Sequence, residues 1–188
     1  MDFSIFSTNP VSVAFKQLHL SNFEDAASFI QQLPYRRNQD PGNPLAVLVE
    51  QCGTCSSKHA LLKRLADENG FSNMQLVLGI YKMNEWNTPS IGEILKRAGL
   101  EYIPEAHCYL RYDDRILDFT AAHWDPGCFI HELLEEMPVS PEQIPAGKVR
   151  LHKNYLSQWL KDQPEIPHTL EDLWAIRESC IEALSARY

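Results

Sequence analysis

The sequence predicts an α+β domain whose sheet is mainly antiparallel. Three observations predict it. Helical patterns are interleaved with short apolar runs in an order of helix, helix, strand, short helix, hairpin and helices, not in a repeating βα alternation. Two of the runs, 106–110 and 116–120, are joined through Tyr112-Asp113-Asp114-Arg115, a spacing that calls for a tight hairpin. Gly70 and Gly99 each follow a helical pattern, where a left-handed cap would end it.

The elements follow in order. Val11-Ser12-Val13-Ala14-Phe15 reads as a short strand or an irregular arm. Ser21 or Asn22 caps a helix over 23–33, with Phe23, Ala26, Ala27 and Ile30 on one face. Residues 34–44 hold three prolines, a glycine and two asparagines and form a loop, either a cleft wall or a plain connector. Leu45-Ala46-Val47-Leu48-Val49 fits a buried strand or a helical turn equally. A helix begins at Cys55, carries Ala60, Leu61, Leu62, Leu65 and Ala66 inward, and ends at Asn69-Gly70. Residues 74–83 read as a buried strand. A short helix starts at Pro89-Ser90 and ends at Ala98-Gly99. After the hairpin come a turn at Asp125-Pro126-Gly127, a short helix over 130–136 and a Pro-rich connector over 138–145. Two helices follow, at 155–161 and 169–186, the second with Thr169 and Asp172 in capping-box spacing.

The chain of 188 residues is expected to be a single domain, 1–188, with a core over about 45–120, an N-terminal helix and loop in 1–44 and a helical C-terminal extension over 129–188. A 44% hydrophobic, 22% charged composition is that of an ordinary globular chain. The net charge of −8 argues against nonspecific binding to nucleic acid or an anionic membrane, and no apolar run approaches the ~20 residues that span a bilayer. The N-terminus lacks the basic and apolar regions of a signal peptide. Five cysteines, an odd number, outline no disulfide framework. A cytoplasmic setting is therefore expected.

Gln51-Cys52-Gly53-Thr54-Cys55 carries the strongest chemical signal. A thiol at a helix start meets backbone N–H groups and the positive end of the macrodipole, so its thiolate is favoured. A thiolate nucleophile needs a base and a group to orient the base. If Asp113-Asp114 is a two-residue turn, His107 lies opposite Thr120 and Tyr109 opposite Asp118. His107 and Asp118 then share one face as diagonal neighbours, about 7–8 Å apart at Cα, while a one-residue slip would separate them. Gln51, four residues before Cys55, would add a carboxamide to the Cys55 backbone N–H in an oxyanion hole, where one donor is worth ~3–4 kcal/mol. Asp118 pairing with Arg111 or Arg115 is the structural alternative. His59, one turn after Cys55, is a rival base without an evident orienter. Lys58 would lower the thiol pKa if it pointed inward, although a solvated position suits it better.

These residues resemble the transglutaminase-like branch of the papain-like cysteine enzymes. The resemblance rests on Gly53-Thr54-Cys55 at a helix start, then His107 within Glu105-Ala106-His107-Cys108-Tyr109, then Asp118 within Ile116-Leu117-Asp118-Phe119. Two positions differ from that pattern: Ser56-Ser57-Lys58-His59 follows the cysteine, and Tyr109 stands where a Trp is common. The resemblance implies a papain-like core, with the cysteine helix packed on the sheet, and a Cys55–His107–Asp118 triad acting on an amide or ester carbonyl through a thioester. It implies no metal and no cofactor, and a peptide or small-molecule amide as substrate.

Two other readings stand beside it. One is a non-catalytic binding or scaffold module of the same fold. The other is a metal or redox protein built on Cys52-x-x-Cys55, with Cys108, His107 or His59 as further ligands. His123-Trp124-Asp125 forms a further candidate cluster, expected to be a packed loop. Trp86, Trp124, Trp159 and Trp174 read as packing anchors.

Overall fold

The computed structural model describes residues 2–122, 127–144 and 146–185. The fold is α+β, with a four-stranded antiparallel sheet in the order β3-β2-β1-β4. The strands are β1 (Gln75–Asn84), β2 (Tyr102–Tyr112), β3 (Arg115–Leu117) and β4 (Leu133–Val139). Among the described residues no helix is long and apolar enough to cross a membrane. The chain divides into two compact units. The first comprises Met1–Leu78, Cys108–Trp124 and Met137–Pro145, and the second Gly79–His107, Asp125–Glu136 and Ala146–Tyr188.

The first unit is organised around α4 (Cys55–Glu68), on which α1 (Pro10–Gln17), α2 (Phe23–Gln32), α3 (Ala46–Glu50) and a 3-10 turn at Pro141–Gln143 all pack. Phe15, Phe23, Ile30, Leu61, Leu62 and Leu65 are fully buried and form the core of this unit. The Asn22 side chain accepts from the Asp25 backbone N–H at 2.8 Å and starts α2 as expected.

The segment at 11–15, expected as a strand or an arm, is the helix α1. Pro10 opens it, but its orphan N–H groups are satisfied from far along the chain. The Glu68 carboxylate accepts from the Val11 N–H at 3.0 Å and the Ser12 N–H at 2.6 Å. This tertiary cap overrides the β-branched pattern of Val11 and Val13. The apolar run at 45–49, left open by its pattern, is largely helical, as α3.

β2 and β3 pair as Leu110↔Leu117, Arg111↔Ile116 and Tyr112↔Arg115, the register expected of a two-residue Asp113-Asp114 turn. Asp113 takes the left-handed conformation such a turn needs, at φ 51°. The second strand is shorter than expected. Asp118 Oδ1 accepts from Thr120 N–H at 3.0 Å and Thr120 Oγ1–H at 2.5 Å, and this Asx turn bends the chain once β3 has ended at Leu117.

In the second unit, α8 (Leu170–Ser185) packs on α7 (Ala146–Lys161), on α5 (Gly92–Ala98) and on a 3-10 turn at Pro89–Ile91. Thr169 and Asp172 form the expected reciprocal cap, with Asp172 N–H donating to Thr169 Oγ1 at 3.1 Å and Thr169 N–H to Asp172 Oδ2 at 2.9 Å. α7 begins well before the expected 155, because its buried side includes Gly147 and His152, which an apolar pattern does not register.

The helix expected over 130–136 is absent. A single helical turn, α6 (Gly127–Ile130), leads instead into strand β4. Leu133, Leu134, Glu135 and Glu136 favour helix locally, but Pro138 breaks any continuation, and the segment is a charged, mostly exposed edge strand that tolerates a proline. Trp159 is buried as expected and donates from Nε1 to the Tyr102 hydroxyl at 3.1 Å. Trp86 is 85% exposed and anchors no core, contrary to expectation. His123, Trp124 and Asp125 lie outside the described residues.

Candidate functional site

The turn into α4 is held by the loop before α3. Gly53 N–H donates to Pro34 O at 3.1 Å, and Arg36 N–H donates to Gly53 O at 3.2 Å. Asn38 Nδ2 donates to Cys52 O at 2.9 Å. The Glu50 carboxylate accepts from Gln39 N–H at 2.8 Å and Asp40 N–H at 3.1 Å, and these bonds hold its carboxyl below the usual range. The Pro- and Asn-rich loop is therefore clamped to residues 50–53.

Gly53 lacks a Cβ for a reason visible in its surroundings. A methyl there would meet Ser57 Oγ at 2.9 Å, Lys58 Cγ at 3.0 Å and Val47 Cγ2 at 3.1 Å. Ser57 Oγ accepts from the Thr54 N–H at 3.0 Å, which starts α4 with Thr54 as its N-cap.

Cys55 is the first residue of α4 and is 3% exposed, with its sulfur 3.8 Å from Ser56 Oγ. Cys52 is fully buried, and the Arg36 guanidinium bonds to its side chain, which raises the Arg36 pKa. Neither is in a disulfide. Among the described residues no group of three or more His, Cys, Asp or Glu side chains is arranged to hold a metal ion.

Lys58 corrects the expectation of a solvated side chain, because it is fully buried. Its ammonium donates to Leu33 O at 2.6 Å and to Thr120 O at 2.7 Å. Burial pushes its pKa down to about 8, opposed by the attraction of Cys55, Cys52 and Asp118. The sequence did carry a signal for this burial. Lys58 stands on the same helical stripe as Leu61, Leu62 and Leu65.

His59 is also fully buried, and both ring nitrogens are engaged. Its Nε2 accepts from the Phe119 N–H at 2.7 Å, so the proton sits on Nδ1 and is donated to Cys55 O at 2.7 Å. The ring is neutral in this arrangement, and its 3.4 Å approach to Asp118 Oδ1 is a contact between two acceptors, not an ion pair. His59 thus ties α4 to the segment after β3 and has no nitrogen left to act as a base.

The expected site residues are placed as follows. Asp118 is buried in the first unit, beside α4 and in its Asx turn with Thr120. Gln51, also in the first unit, is exposed and left-handed at φ 51°, and its carboxamide donates to Leu48 O at 2.5 Å. It would have to leave that carbonyl to serve an oxyanion. His107 is buried on β2 at the end of a stretch of the second unit, where its ring lies 4.7 Å from Phe129 and 6.4 Å from Tyr81. No sequence pattern pointed to Phe129. No family model, curated protein or solved structure matches the chain.

Proposed function

We propose that the chain is a thiol-dependent hydrolase or acyl transferase of transglutaminase-like, papain-like type. Cys55 attacks an amide or ester carbonyl and forms a thioester. His107 takes the thiol proton and returns it to the leaving group, and Asp118 orients the imidazole. The Cys55 backbone N–H stabilises the oxyanion, with Gln51 joining once its carboxamide turns from Leu48 O. Water completes hydrolysis and an amine completes transfer. The substrate is a peptide or small-molecule amide. A reducing cytoplasm suits a chain whose cysteines 52, 55, 108, 128 and 180 form no disulfide.

The observation that carries this reading is the hairpin register. The pairing runs from Tyr112↔Arg115 to Leu110↔Leu117, where β3 ends. Continued one residue further it would set Asp118 opposite Tyr109, with His107 two residues along β2 on the same side by alternation. The start of α4 at Cys55 supplies the helix N-terminus that a thiolate favours.

The test is the pH dependence of Cys55 alkylation, mapped by mass spectrometry, in wild type and His107→Ala. A wild-type midpoint well below the ~8.5 of a free cysteine, moving upward in the variant, is the expected result. An ordinary midpoint that ignores His107 overturns the reading.

A further inference from the structure

Lys58 lies three residues after Cys55, and no part of it reaches solvent. Two of its three ammonium protons go to backbone carbonyls, one at the C-cap of α2 (Leu33) and one on Thr120, the residue that closes the Asp118 turn. One side chain therefore joins the end of α2, the first turn of α4 and the segment carrying Asp118.

Packing alone does not account for a lysine here. Burying an ammonium against two neutral acceptors costs free energy, and an apolar side chain of similar volume would fill the space more cheaply. The titratable groups that act on Lys58 are Cys55 and Cys52 from the start of α4 and the turn before it, and Asp118 from beyond β3. Each becomes an anion on losing its proton. His59, the next residue on α4, is held neutral by its two hydrogen bonds. Arg36, from the loop before α3, reaches Cys52.

We propose that Lys58 is a positioning residue for the thiol, its ammonium both fixing the Asp118–Thr120 turn beside α4 and favouring the thiolate of Cys55. This rests on Cys55 being the nucleophile. The charge is present at neutral pH, since the Lys58 pKa stands at about 8, and is lost above it. Three residues apart on α4, Cys55 and Lys58 leave neighbouring positions of one helical face, and a nearby opposite charge moves a pKa by about 1–3 units. Lys58 therefore lowers the pH at which the thiolate forms.

The experiment compares Cys55 alkylation by iodoacetamide across pH in wild type, Lys58→Met and His107→Ala. Lys58→Met is expected to raise the midpoint by about one unit, roughly a tenfold loss of thiolate at neutral pH. Coupling is reciprocal, so the isosteric Cys55→Ser must lower the Lys58 pKa, read from the lysine Cε shift in a 13C-labelled sample. This second measurement stands even if Lys58→Met fails to fold, and a purely structural lysine would not move in it. An unmoved midpoint in Lys58→Met, or an unmoved Lys58 titration in Cys55→Ser, overturns the proposal. If His107→Ala shifts the midpoint while Lys58→Met does not, the nucleophile reading stands and the Lys58 role falls. A wild-type midpoint like that of a free cysteine, indifferent to both variants, removes both.

Discussion

Each unit of the molecule buries a cation, and the two are treated in opposite ways. In the second unit, Arg177 on α8 meets Glu105 on β2 through two bonds, Nε to Oε2 at 2.8 Å and Nη2 to Oε1 at 2.6 Å, with both residues under one-tenth exposed. The arginine also lies over the Trp174 ring at 5.1 Å. The pair holds the Glu105 carboxyl down to about 2, against its own desolvation. In the first unit, Lys58 has neutral carbonyls as hydrogen-bond partners and sits at about 8. A charge locked to a counter-ion is fixed across the working pH range and can only brace the fold. A charge held by carbonyls stays close to titration and remains available to whatever anion forms beside it.

The comparison breaks most visibly at Arg177. Arg177→Met leaves a buried carboxylate unpaired and should lower the unfolding free energy by about 3–5 kcal/mol in a urea titration. A double variant that also carries Glu105→Leu should recover most of that loss. Lys58→Met leaves two carbonyls without a donor but removes a buried charge. Its net effect on stability should stay within about 1 kcal/mol of wild type while thiol reactivity falls. A large loss of stability there would make Lys58 a brace like Arg177.

The pH dependence should differ in direction of approach. The folded Glu105 pKa lies below that of the unfolded chain, so its contribution is present above about pH 4.3 and disappears as pH falls toward 2. The folded Lys58 pKa also lies below its unfolded value. Between about pH 8 and 10.4 the unfolded chain binds the extra proton, so Lys58 adds stability as pH rises through that window. The difference between wild type and Lys58→Met, followed by urea titrations across pH, should rise there and stay flat below it.

The smallest effect compares two helix starts. Asn22→Ala and Thr169→Ala each remove a side-chain cap and should each cost about 1 kcal/mol. These caps were legible in the sequence because cap and capped residue lie within one turn. The hairpin register was legible for the same reason, as was the course of α4 from Cys55 to the Asn69-Gly70 stop. What escaped was non-local. α1 depends on Glu68, which lies 57 residues from Val11 in the chain. β4 has local helical preference, and its place as the edge strand beside β1 is a property of the sheet. Of the site, Cys55 and Asp118 could be singled out by type and spacing. The burial of Lys58 and the locked ring of His59 depend on Leu33, Phe119 and Thr120, which no spacing rule connects to α4.

Gly53 has no positive φ, and what it supplies is room. A methyl there would press on the lysine stem, which would have to give way, and the Ser57 hydroxyl that starts α4 is nearer still. The two positions are therefore bound to a common fate. Alanine at 53 would press on both Ser57 and the stem at 58, so it strains the start of α4, and a shorter residue at 58 relieves part of that strain.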